Sequence, residues 1–306
     1  MTPPFILLLA LLLDAALGEP DWLWRRAPHP AVLMGRAIGW ADRLLNRGAY
    51  RRAKGVLLVA GLILSAGLIG WGLSLLGGLV DVLVTAVLLA HRSLVQHVRA
   101  VGDGLRRALS EGRAAVALIV SRDTAEMSSA AVSRAAIESG AENLSDGVVA
   151  PAFWFLIGGL PGLLIYKAVN TADSMVGYLT PRYAAFGWAA ARLDDALNWI
   201  PARLTAVLIA LPGAVLPQWS EVRADARLHR SPNAGWPEAA LSRAIGVALA
   251  GPRAYAGEMR AFAWVNPTGQ RDIGPAEIDA ALRQMWLAWG CLVMVMLITV
   301  LISAVL

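Results

Sequence analysis

Cysteine is almost absent from the chain. The single cysteine, Cys291, lies in an apolar stretch near the C-terminus. One thiol forms no intramolecular disulfide and cannot assemble a cysteine zinc site. The sequence therefore excludes a disulfide framework and a cysteine-based zinc centre.

Charged residues are also scarce. They make up 16% of the 306 residues, against about 25% in soluble domains, whereas hydrophobic residues make up 57%. Mean hydropathy is +0.56, and the apolar residues come in blocks, as in helical proteins that cross a membrane several times. The net charge of +5 comes mainly from Arg spread between these blocks. Basic tracts interleaved with aromatic residues are missing, so we expect no nucleic-acid partner.

Several catalytic signatures are missing as well. The chain has no His-Glu pairing of the metalloprotease type, no GxSxG and no P-loop lysine. An enzyme with this sequence that uses ATP therefore does so without a Walker motif.

The apolar blocks predict an all-α, polytopic membrane protein that forms a single membrane-embedded catalytic unit over residues 1–306. We place its apolar segments near 5–18, 55–90, 148–166, 199–217 and 285–306. The first of these is short, contains an acid and lacks a basic leader, so we expect a retained helix and not a cleaved signal peptide.

The long block 55–90 predicts a hairpin. About 20 residues suffice for one span, and Gly77-Gly78 offers a turn that returns the chain to the side from which it came. The polar, Arg-rich regions 91–147 and 219–284 are predicted as helical cytoplasmic insertions.

Two other apolar blocks are interrupted by Gly and Pro, at GGLPG (158–162) and LPG (211–213). Broken helices are tolerated in membranes where they line a polar cavity. We expect these blocks to dip into the membrane and return, or to place a site that is reached from one side. The expected location is the cell inner membrane, with the site facing the cytoplasm.

The stretch YKAVNTADSMVGY (166–178) predicts an amphipathic helix. On a helical wheel its polar residues fall within an arc of about 160° and its apolar residues lie opposite. This face carries candidates for binding and catalysis: Lys167, Asn170, Thr171, Asp173 and Ser174.

Two more stretches carry acids at helical spacing. In SRAAIESGAENLSDG (133–147), Arg134 precedes three acids at i+4 steps, namely Glu138, Glu142 and Asp146. A solvated ion-pair ladder explains this spacing, and so does a site for a hard cation that neutralises surplus negative charge.

In AARLDDALNWIPAR (190–203), Asp194, Asp195 and Asn198 lie within roughly 100° of one another on a helical wheel. Adjacent acids beside a membrane segment are costly to desolvate without a counterion. A metal ion, or nearby Arg192 and Arg203, is therefore expected to offset their charge.

Two loop-like stretches complete the candidates. SRDTAEM (121–127) predicts an N-capping box at Asp123, and the amides of that helix start, with Arg122 and Thr124, also suit a phosphate. SPNAGWPEAA (231–240) predicts a loop that enters a helix at Pro237; Ser231 and Asn233 are binding candidates, although turn chemistry explains them equally well.

These stretches together resemble one family. LLLDAALGEPDW, IVSRDTAEM, SRAAIESGAENLSDGVVAPAFWFLIGGLPGLLIYKAVNTADSMVGY, FGWAAARLDDALNWIPARLTA and SPNAGWPEAA are similar, in this order, to the adenosylcobinamide-phosphate synthases. The resemblance covers roughly residues 10 to 255. It implies a membrane enzyme of cobalamin biosynthesis that uses ATP and Mg²⁺ to join a propionate of adenosylcobyric acid to aminopropanol or its O-phosphate, through an acyl phosphate.

Expected partners are therefore the corrinoid substrate, aminopropanol (phosphate), the lipid bilayer and other cobalamin-biosynthesis enzymes at the membrane. For that chemistry we interpret the polar residues by role. The Mg²⁺ ligands are Asp173, Asp194 and Asp195. The catalytic candidates are Glu138, Glu142, Asp146 and Lys167, the acids serving the amine or a second ion. The substrate- and nucleotide-binding candidates are Arg122, Asp123, Thr124, Asn143, Asn170, Thr171, Ser174, Arg192, Asn198, Ser231 and Asn233.

Three other functions stay open at this point. A Mg²⁺-dependent membrane prenyl- or alcohol-phosphotransferase also sets acids around a metal, but the chain lacks its repeated Asp-x-x-x-Asp spacing. A transporter fits the broken helices but leaves the two large polar regions unexplained. A non-catalytic assembly partner in the same pathway is the third alternative.

Overall fold

The computed structural model of the protein describes residues 1–255, 258–260 and 262–305. Its helices, in chain order, are α1 Pro3–Leu17, α2 Asp21–Trp24, α3 Pro30–Leu45, α4 Arg51–Ser74, α5 Gly78–Leu88, α6 His91–Arg107, α7 Leu109–Val116, α8 Ser129–Leu144, α9 Ala150–Val176, α10 Trp188–Leu197, α11 Trp199–Ala210, α12 Trp219–Ala226, α13 Gly235–Ala244 and α14 Pro275–Val305. A π-helical turn, Ser145–Val149, lies between α8 and α9, and a 3-10 turn, Leu216–Gln218, precedes α12.

The strands are short. They are β1 Leu249–Ala250, β2 Arg253–Tyr255, β3 Glu258–Arg260 and β4 Trp264–Val265. β1 pairs with β4 and β2 with β3, both antiparallel, with Leu249 opposite Val265 and Arg253 opposite Arg260. With 73% of the chain helical, the predicted all-α class is confirmed.

Within the part of the chain that the structure describes, four helical stretches are long and apolar enough to cross a membrane: Arg51–Ser74, Gly78–Arg107, Ser129–Val176 and Pro275–Val305. Helices α1 and α11, with 15 and 12 residues, are apolar but shorter than the roughly 20 residues that one span needs. The four long helices indicate a membrane protein.

The helices break where Gly and Pro predict it. Between α4 and α5, Gly77 adopts a φ of 100°, which only glycine takes up without strain. This break falls where the sequence places the turn of the 55–90 hairpin. Within α9, Gly159 adopts φ 59° and ψ −152°, and Pro161 follows it. Proline cannot donate to the helical ladder, and Gly159 can leave helical geometry, so α9 is interrupted within GGLPG.

The described chain divides into two compact units. The first contains Met1–Ala90, Ala150–Asn198 and Met296–Leu306, and the second contains His91–Val149 and Trp199–Val295.

In the first unit, α4 and α10 pack on α9, and α3 packs on both α9 and α4. The helices approach closely because Gly55 and Gly70 have no side chain. A Cβ at Gly55 would overlap the carbonyl oxygen of Phe186, and one at Gly70 would lie 2.6 Å from Pro161. Their shared core is apolar: Ile38, Ala41, Leu58, Val59, Ala172, Val176, Phe186 and Ala190.

In the second unit, α6 packs on α7 and α8, and α13 packs on α8, α11 and α12. A buried polar network joins α12, α13 and the residue after β4, because Asp225 pairs with Arg243 and also accepts the backbone N–H of Asn266 at 2.9 Å. The negative charge of Asp225 is thereby neutralised by Arg243 inside the unit.

Two local expectations differ from the structure. No helix starts at Asp123; its carboxylate closes a turn by accepting the N–H of Ala125 at 3.0 Å, and α8 begins at Ser129 with Ser128 as its N-cap. The predicted N-capping box at 123 is therefore wrong. The region 219–284, predicted as helical, also contains strands β1 to β4. Helix α13 ends at Ala244, and the positive φ of Gly246 and Gly251 lets the chain turn before β1 and after it. Residues 256, 257 and 261 of this region lie outside the described ones.

Candidate functional site

The amphipathic helix predicted for 166–178 is confirmed as the last part of α9. Four of the five residues on its predicted apolar side, Ala168, Val169, Ala172 and Val176, are at most 2% exposed, and the fifth, Met175, is half-buried. The polar side is half-buried or exposed at Lys167, Asn170, Thr171, Asp173 and Ser174. The helix ends at Val176, so Gly177 and Tyr178 lie beyond it.

Helix α10 brings a second set of predicted residues to this one. Asn170 Nδ2 donates to Asp194 Oδ1 at 3.2 Å, and Asn198 Nδ2 donates to Asp194 Oδ2 at 3.0 Å. Asn198 Oδ1 in turn accepts from the hydroxyl of Tyr166 at 2.9 Å. We call these four residues and Asp173 the Asp194 cluster.

Contacts within the first unit hold α10 in this place. Trp154 Nε1 donates to the carbonyl of Leu197 at 3.1 Å, at the end of α10. Before α10, Arg182 forms a 2.6 Å ion pair with buried Asp42 of α3. Asn46 donates to the same carboxylate at 2.8 Å. The acidic residues of α10 are therefore carried by a segment that is tied down at both ends.

The surroundings of Asp194 disfavour the ionised form of its carboxyl group. The pKa of Asp194 is raised to about 7, mainly by burial and next by the negative charge of Asp173. Hydrogen bonds from Asn170 and Asn198 act in the opposite direction. A group with this pKa exchanges a proton near neutrality, and it also gains from any cation that approaches it.

The neighbouring acid Asp195 is half-buried. Burial raises the pKa of Asp195, and the guanidinium of Arg192 acts in the opposite direction. Arg192 itself is exposed. Arg192 therefore offsets only part of the cost of burial at Asp195. Arg203, the other arginine expected to help, donates to the carbonyl of Trp199 and to Asn233.

Asp173 lies at the end of α9 against a glycine. A Cβ at Gly177 would overlap the Asp173 carboxylate. Two hydroxyls on the same face donate to backbone carbonyls one turn back, Thr171 to Lys167 at 2.7 Å and Ser174 to Asn170 at 3.0 Å. Their protons are used inside the helix, so towards a ligand they offer lone pairs as acceptors.

Within the described ranges, no group of three or more His, Cys, Asp or Glu side chains is arranged to hold a metal ion. The Mg²⁺ role of Asp173, Asp194 and Asp195 stays a prediction. Mg²⁺ in nucleotide enzymes usually takes one or two carboxylates and completes its shell with water and phosphates. A buried carboxylate whose pKa is raised by burial and by a second acid fits such a donor set.

The second unit contains a separate polar cavity of about 260 Å³. Glu138, 3% exposed, forms a 2.9 Å ion pair with Arg122 and accepts the N–H of Ala250 at 2.7 Å. Glu142 and Asn143, both exposed, also line this cavity. We call it the Glu138 cavity.

The partner of Glu138 differs from the one the spacing suggests. Arg134, one turn earlier on α8, donates to the carbonyl of Arg271 at 2.8 Å and lies over the ring of Trp264. The ion pair with Arg122 comes from a loop 16 residues away in sequence. Asp146 is half-buried in the π-helical turn and, among the described residues, is not part of the cavity lining.

The remaining loop candidates have local roles. Ser231 Oγ accepts the N–H groups of Asn233 and Ala234 at 3.2 and 3.3 Å, which shapes the turn into α13. Buried Asn233 accepts from Arg203 at 3.2 Å. Thr124 is half-buried, and its carbonyl accepts the N–H of Met127 at 3.2 Å.

Sequence reasoning missed two residues at these sites. Tyr166 is fully buried and orients Asn198. His229 lines the Glu138 cavity, with its Nε2 3.7 Å from the buried carboxylate of Glu238. A tyrosine within an apolar block gives no sign of a distant amide partner, and neither does a histidine in a loop.

The predicted residues thus fall into two groups. Lys167, Asn170, Thr171, Asp173, Ser174, Arg192, Asp194, Asp195 and Asn198 belong to the first unit. Arg122, Asp123, Thr124, Glu138, Glu142, Asn143, Asp146, Ser231 and Asn233 belong to the second.

The fold and these clusters describe a helical membrane protein with polar, ionisable sites. The chain belongs to the CobD/Cbib protein family, whose model matches residues 7–285. Relatives called "Cobalamin biosynthesis protein CobD" are similar along most of its length. One from Brucella anthropi is 48% identical over 300 residues, covering 92% of each chain. One from Rhizobium meliloti is 49% identical over 305 residues, again covering 92% of each. A third, from Rhodobacter capsulatus, is 43% identical over 290 residues and covers 90% of this chain and 91% of its own. No solved structure matches the chain.

Proposed function

We propose that the protein is an ATP- and Mg²⁺-dependent amide ligase of cobalamin biosynthesis. It joins a propionate carboxyl of adenosylcobyric acid to (R)-1-aminopropan-2-ol or its O-phosphate and gives adenosylcobinamide or its phosphate. The observation that carries the proposal is the 48% identity, over 92% of the chain, to a cobalamin biosynthesis protein. Four long apolar helices and the acid-rich Asp194 cluster support it.

Activation of the carboxylate is the chemical task. A carboxylate and an amine do not condense in neutral water, because oxide is a poor leaving group. In the proposed reaction the carboxylate oxygen attacks the γ-phosphorus of ATP, the bond to ADP breaks and an acyl phosphate forms. The free amine then attacks the acyl carbon, the C–N bond forms, and phosphate leaves with the proton given up by nitrogen.

The Asp194 cluster is assigned to the nucleotide side of this reaction. Asp173, Asp194 and Asp195 hold Mg²⁺, directly or through water, and the ion supplies neutralising charge to the triphosphate. Lys167 and Arg192 meet phosphate oxygens, while Asn170 and Asn198 keep the Asp194 carboxylate oriented. Thr171 and Ser174 offer hydroxyl oxygens on the same face.

The Glu138 cavity is assigned a different role. Glu142 at its edge handles the ammonium substrate or a second ion, because carboxylates attract both. Asp146, which is not among the described residues that line the cavity, stays a candidate for the same role. Arg122 and Asn143 supply donors for substrate oxygens. Glu138 is already neutralised by Arg122, so its first role is to fix that arginine.

A ligase assay on purified protein tests the proposal. The protein is incubated with adenosylcobyric acid, ATP, Mg²⁺ and either aminopropanol or aminopropanol phosphate. The mass of the corrinoid product is then measured by mass spectrometry. We expect one amide adduct per corrinoid and one ADP per adduct. If no amine yields an adduct, the ligase assignment is wrong.

The same assay separates the rival functions. A phosphotransferase would leave the propionate unchanged and move a phosphoryl or prenyl-phosphate group instead. A transporter would accumulate corrinoid inside vesicles and form no covalent product. An assembly partner would be inactive alone and gain activity only when a second enzyme of the pathway is added.

A further inference from the structure

A cleft in the second unit is lined by side chains that have no role in the proposed ligase reaction. It lies between the start of α11, helix α12 and the turn into α13, and its volume is about 550 Å³. That volume is in the range of small-molecule sites. Its wall is dominated by guanidinium and indole groups: Trp199, Arg203, Trp219, Arg223, Arg227 and Trp236.

The charge of the cleft has one sign. Among the described residues that line it, three are arginines, one is His229 and none is Asp or Glu. Nε2 of His229 lies 3.7 Å from the carboxylate of Glu238, which lines the Glu138 cavity. Guanidiniums without an acid in the described lining attract an anion, and the fork of an arginine fits phosphate oxygens.

One of the arginines is already fixed in place. Arg203 donates to the carbonyl of Trp199 at 2.6 Å and to Asn233 Oδ1 at 3.2 Å. Its guanidinium carbon lies 4.4 Å from the ring of Trp199 and 4.7 Å from that of Trp236. A positioned guanidinium loses little further entropy when a ligand binds, so this one is preorganised.

The indoles offer flat apolar surface beside this charge. Trp219 and Trp236 lie with ring centroids 5.7 Å apart, and Trp199 is 55% exposed. Indole faces stack on aromatic rings and also cover the apolar part of an amphipathic molecule. Cations and indoles side by side therefore match a ligand that has a phosphate at one end and an aromatic or apolar group at the other.

We infer that this cleft binds a phosphate ester, with Arg203, Arg223 and Arg227 on the phosphate and the indoles on the rest of the molecule. The inference does not depend on the ligase reaction, because none of these side chains has a role there. A soluble nucleotide and an anionic phospholipid headgroup share this chemistry, so the test uses one probe for each source.

The test compares wild-type protein with Arg223→Gln/Arg227→Gln in phosphatidylcholine nanodiscs. Both arginines are exposed, so their replacement is expected to leave the fold intact. Calorimetry with ADP in EDTA reports nucleotide binding without a metal. Native mass spectrometry after addition of phosphatidylglycerol reports retained lipid. The matched control, Arg26→Gln/Arg47→Gln, removes two exposed arginines that do not line the cleft.

We expect the Kd of one probe to rise at least about tenfold in the cleft variant and to stay unchanged in the control, since charge-assisted hydrogen bonds are being removed. Trp199→Leu is expected to weaken the same probe. A loss confined to ADP identifies the ligand as a soluble phosphate ester, and a loss confined to phosphatidylglycerol identifies a lipid. Equal binding of both probes by wild type and the cleft variant overturns the inference, as does failure of both to bind wild type at about 1 mM.

Discussion

At the scale of single residues, Asp194 combines burial with negative charge. It is 9% exposed, and its two carboxylate oxygens are each held by an asparagine amide. Amides are weaker partners for a buried carboxylate than a cation is, because they offer a dipole and not a full charge. The site therefore favours a positive ligand, or a proton, at this carboxylate.

Asp194→Asn keeps the size of the side chain and removes its charge. If the carboxylate holds Mg²⁺ for the nucleotide, ligase turnover falls at least about a hundredfold, a loss typical of an essential charged ligand. Asp173→Asn is expected to behave alike, and exposed Glu111→Gln should keep full activity. The measurement is the rate of amide formation at saturating ATP and Mg²⁺. Activity near wild type in both aspartate variants contradicts the metal assignment.

The raised pKa of Asp194 also predicts how stability depends on pH. Its pKa goes from 3.8 in the unfolded chain to about 7 in the folded one, so between these values the folded protein keeps a proton that the unfolded chain has lost. Stability from this group therefore falls as pH rises through that window and levels off above it. Each pKa unit corresponds to about 1.4 kcal/mol.

In EDTA, wild-type Tm is thus expected to drop by a few degrees more than that of Asp194→Asn between about pH 5 and about pH 8. Comparing the two pH slopes cancels any constant cost of the new amide. Intrinsic fluorescence during heating in detergent reports Tm. A slope for the variant equal to or steeper than that of wild type would show that the carboxylate is not destabilised by burial.

The sequence predicted these polar residues better than their partners. Helical spacing placed Asn170 and Asp173 on one face of α9, because a wheel depends only on local geometry. The same spacing paired Arg134 with Glu138, whereas Arg122 occupies that place from a loop. Contacts between residues distant in sequence, such as Tyr166 with Asn198, depend on how helices pack and leave no local pattern.

At the scale of helices, glycines set the distance between α4 and the segment before α10. A Cβ at Gly55 would overlap the carbonyl oxygen of Phe186, which is backbone and cannot rotate away. Phe186 lies in the core that underlies α9 and α10. The position of α10, and with it that of Asp194, therefore depends on this contact.

Gly55→Ala is expected to force α4 away from that segment. We expect lower stability by about 1–3 kcal/mol, as for overpacked cores, together with reduced activity. Gly61→Ala on the same helix meets no atom within 4 Å and should be neutral or slightly stabilising, since alanine is the better helix former. Thermal unfolding and amide formation are measured for both variants. Equal stability of the two would show that the helix can shift without cost.

Helix ends show a similar division between what was predictable and what was not. Gly77 and Gly159 marked real breaks, because glycine and proline act on the local backbone. Asp123 has the residue pattern of a cap but closes a turn instead, and Ser128 caps α8. Both sites satisfy local capping rules, so the choice between them depends on the contacts that the loop makes elsewhere.

At the scale of the whole chain, the hydropathy pattern was the basis for predicting a helical membrane protein. Apolar blocks must lie in lipid or in a core, so they predicted the helical class and its long segments. The two compact units were not predictable, because residues 91–149 and 199–295 form one of them across an intervening segment. Pairing of that kind is a property of tertiary contacts.

Membrane orientation is the remaining question at this scale. Arg-rich segments flank the 55–90 hairpin on both sides, so the positive-inside rule predicts that both flanks lie in the cytoplasm and the turn on the opposite face. A one-sided site requires residues near 180 and 224 to face the cytoplasm as well.

In a Cys291→Ser background, Thr180→Cys and Ala224→Cys, both exposed, should each react with a membrane-impermeant maleimide only after the cells are opened. Leu76→Cys, in the turn and 69% exposed, should react in intact cells. Labelling of Thr180→Cys in intact cells would contradict a cytoplasmic Asp194 cluster, because the short segment from 178 to 187 cannot cross the bilayer between that cysteine and α10.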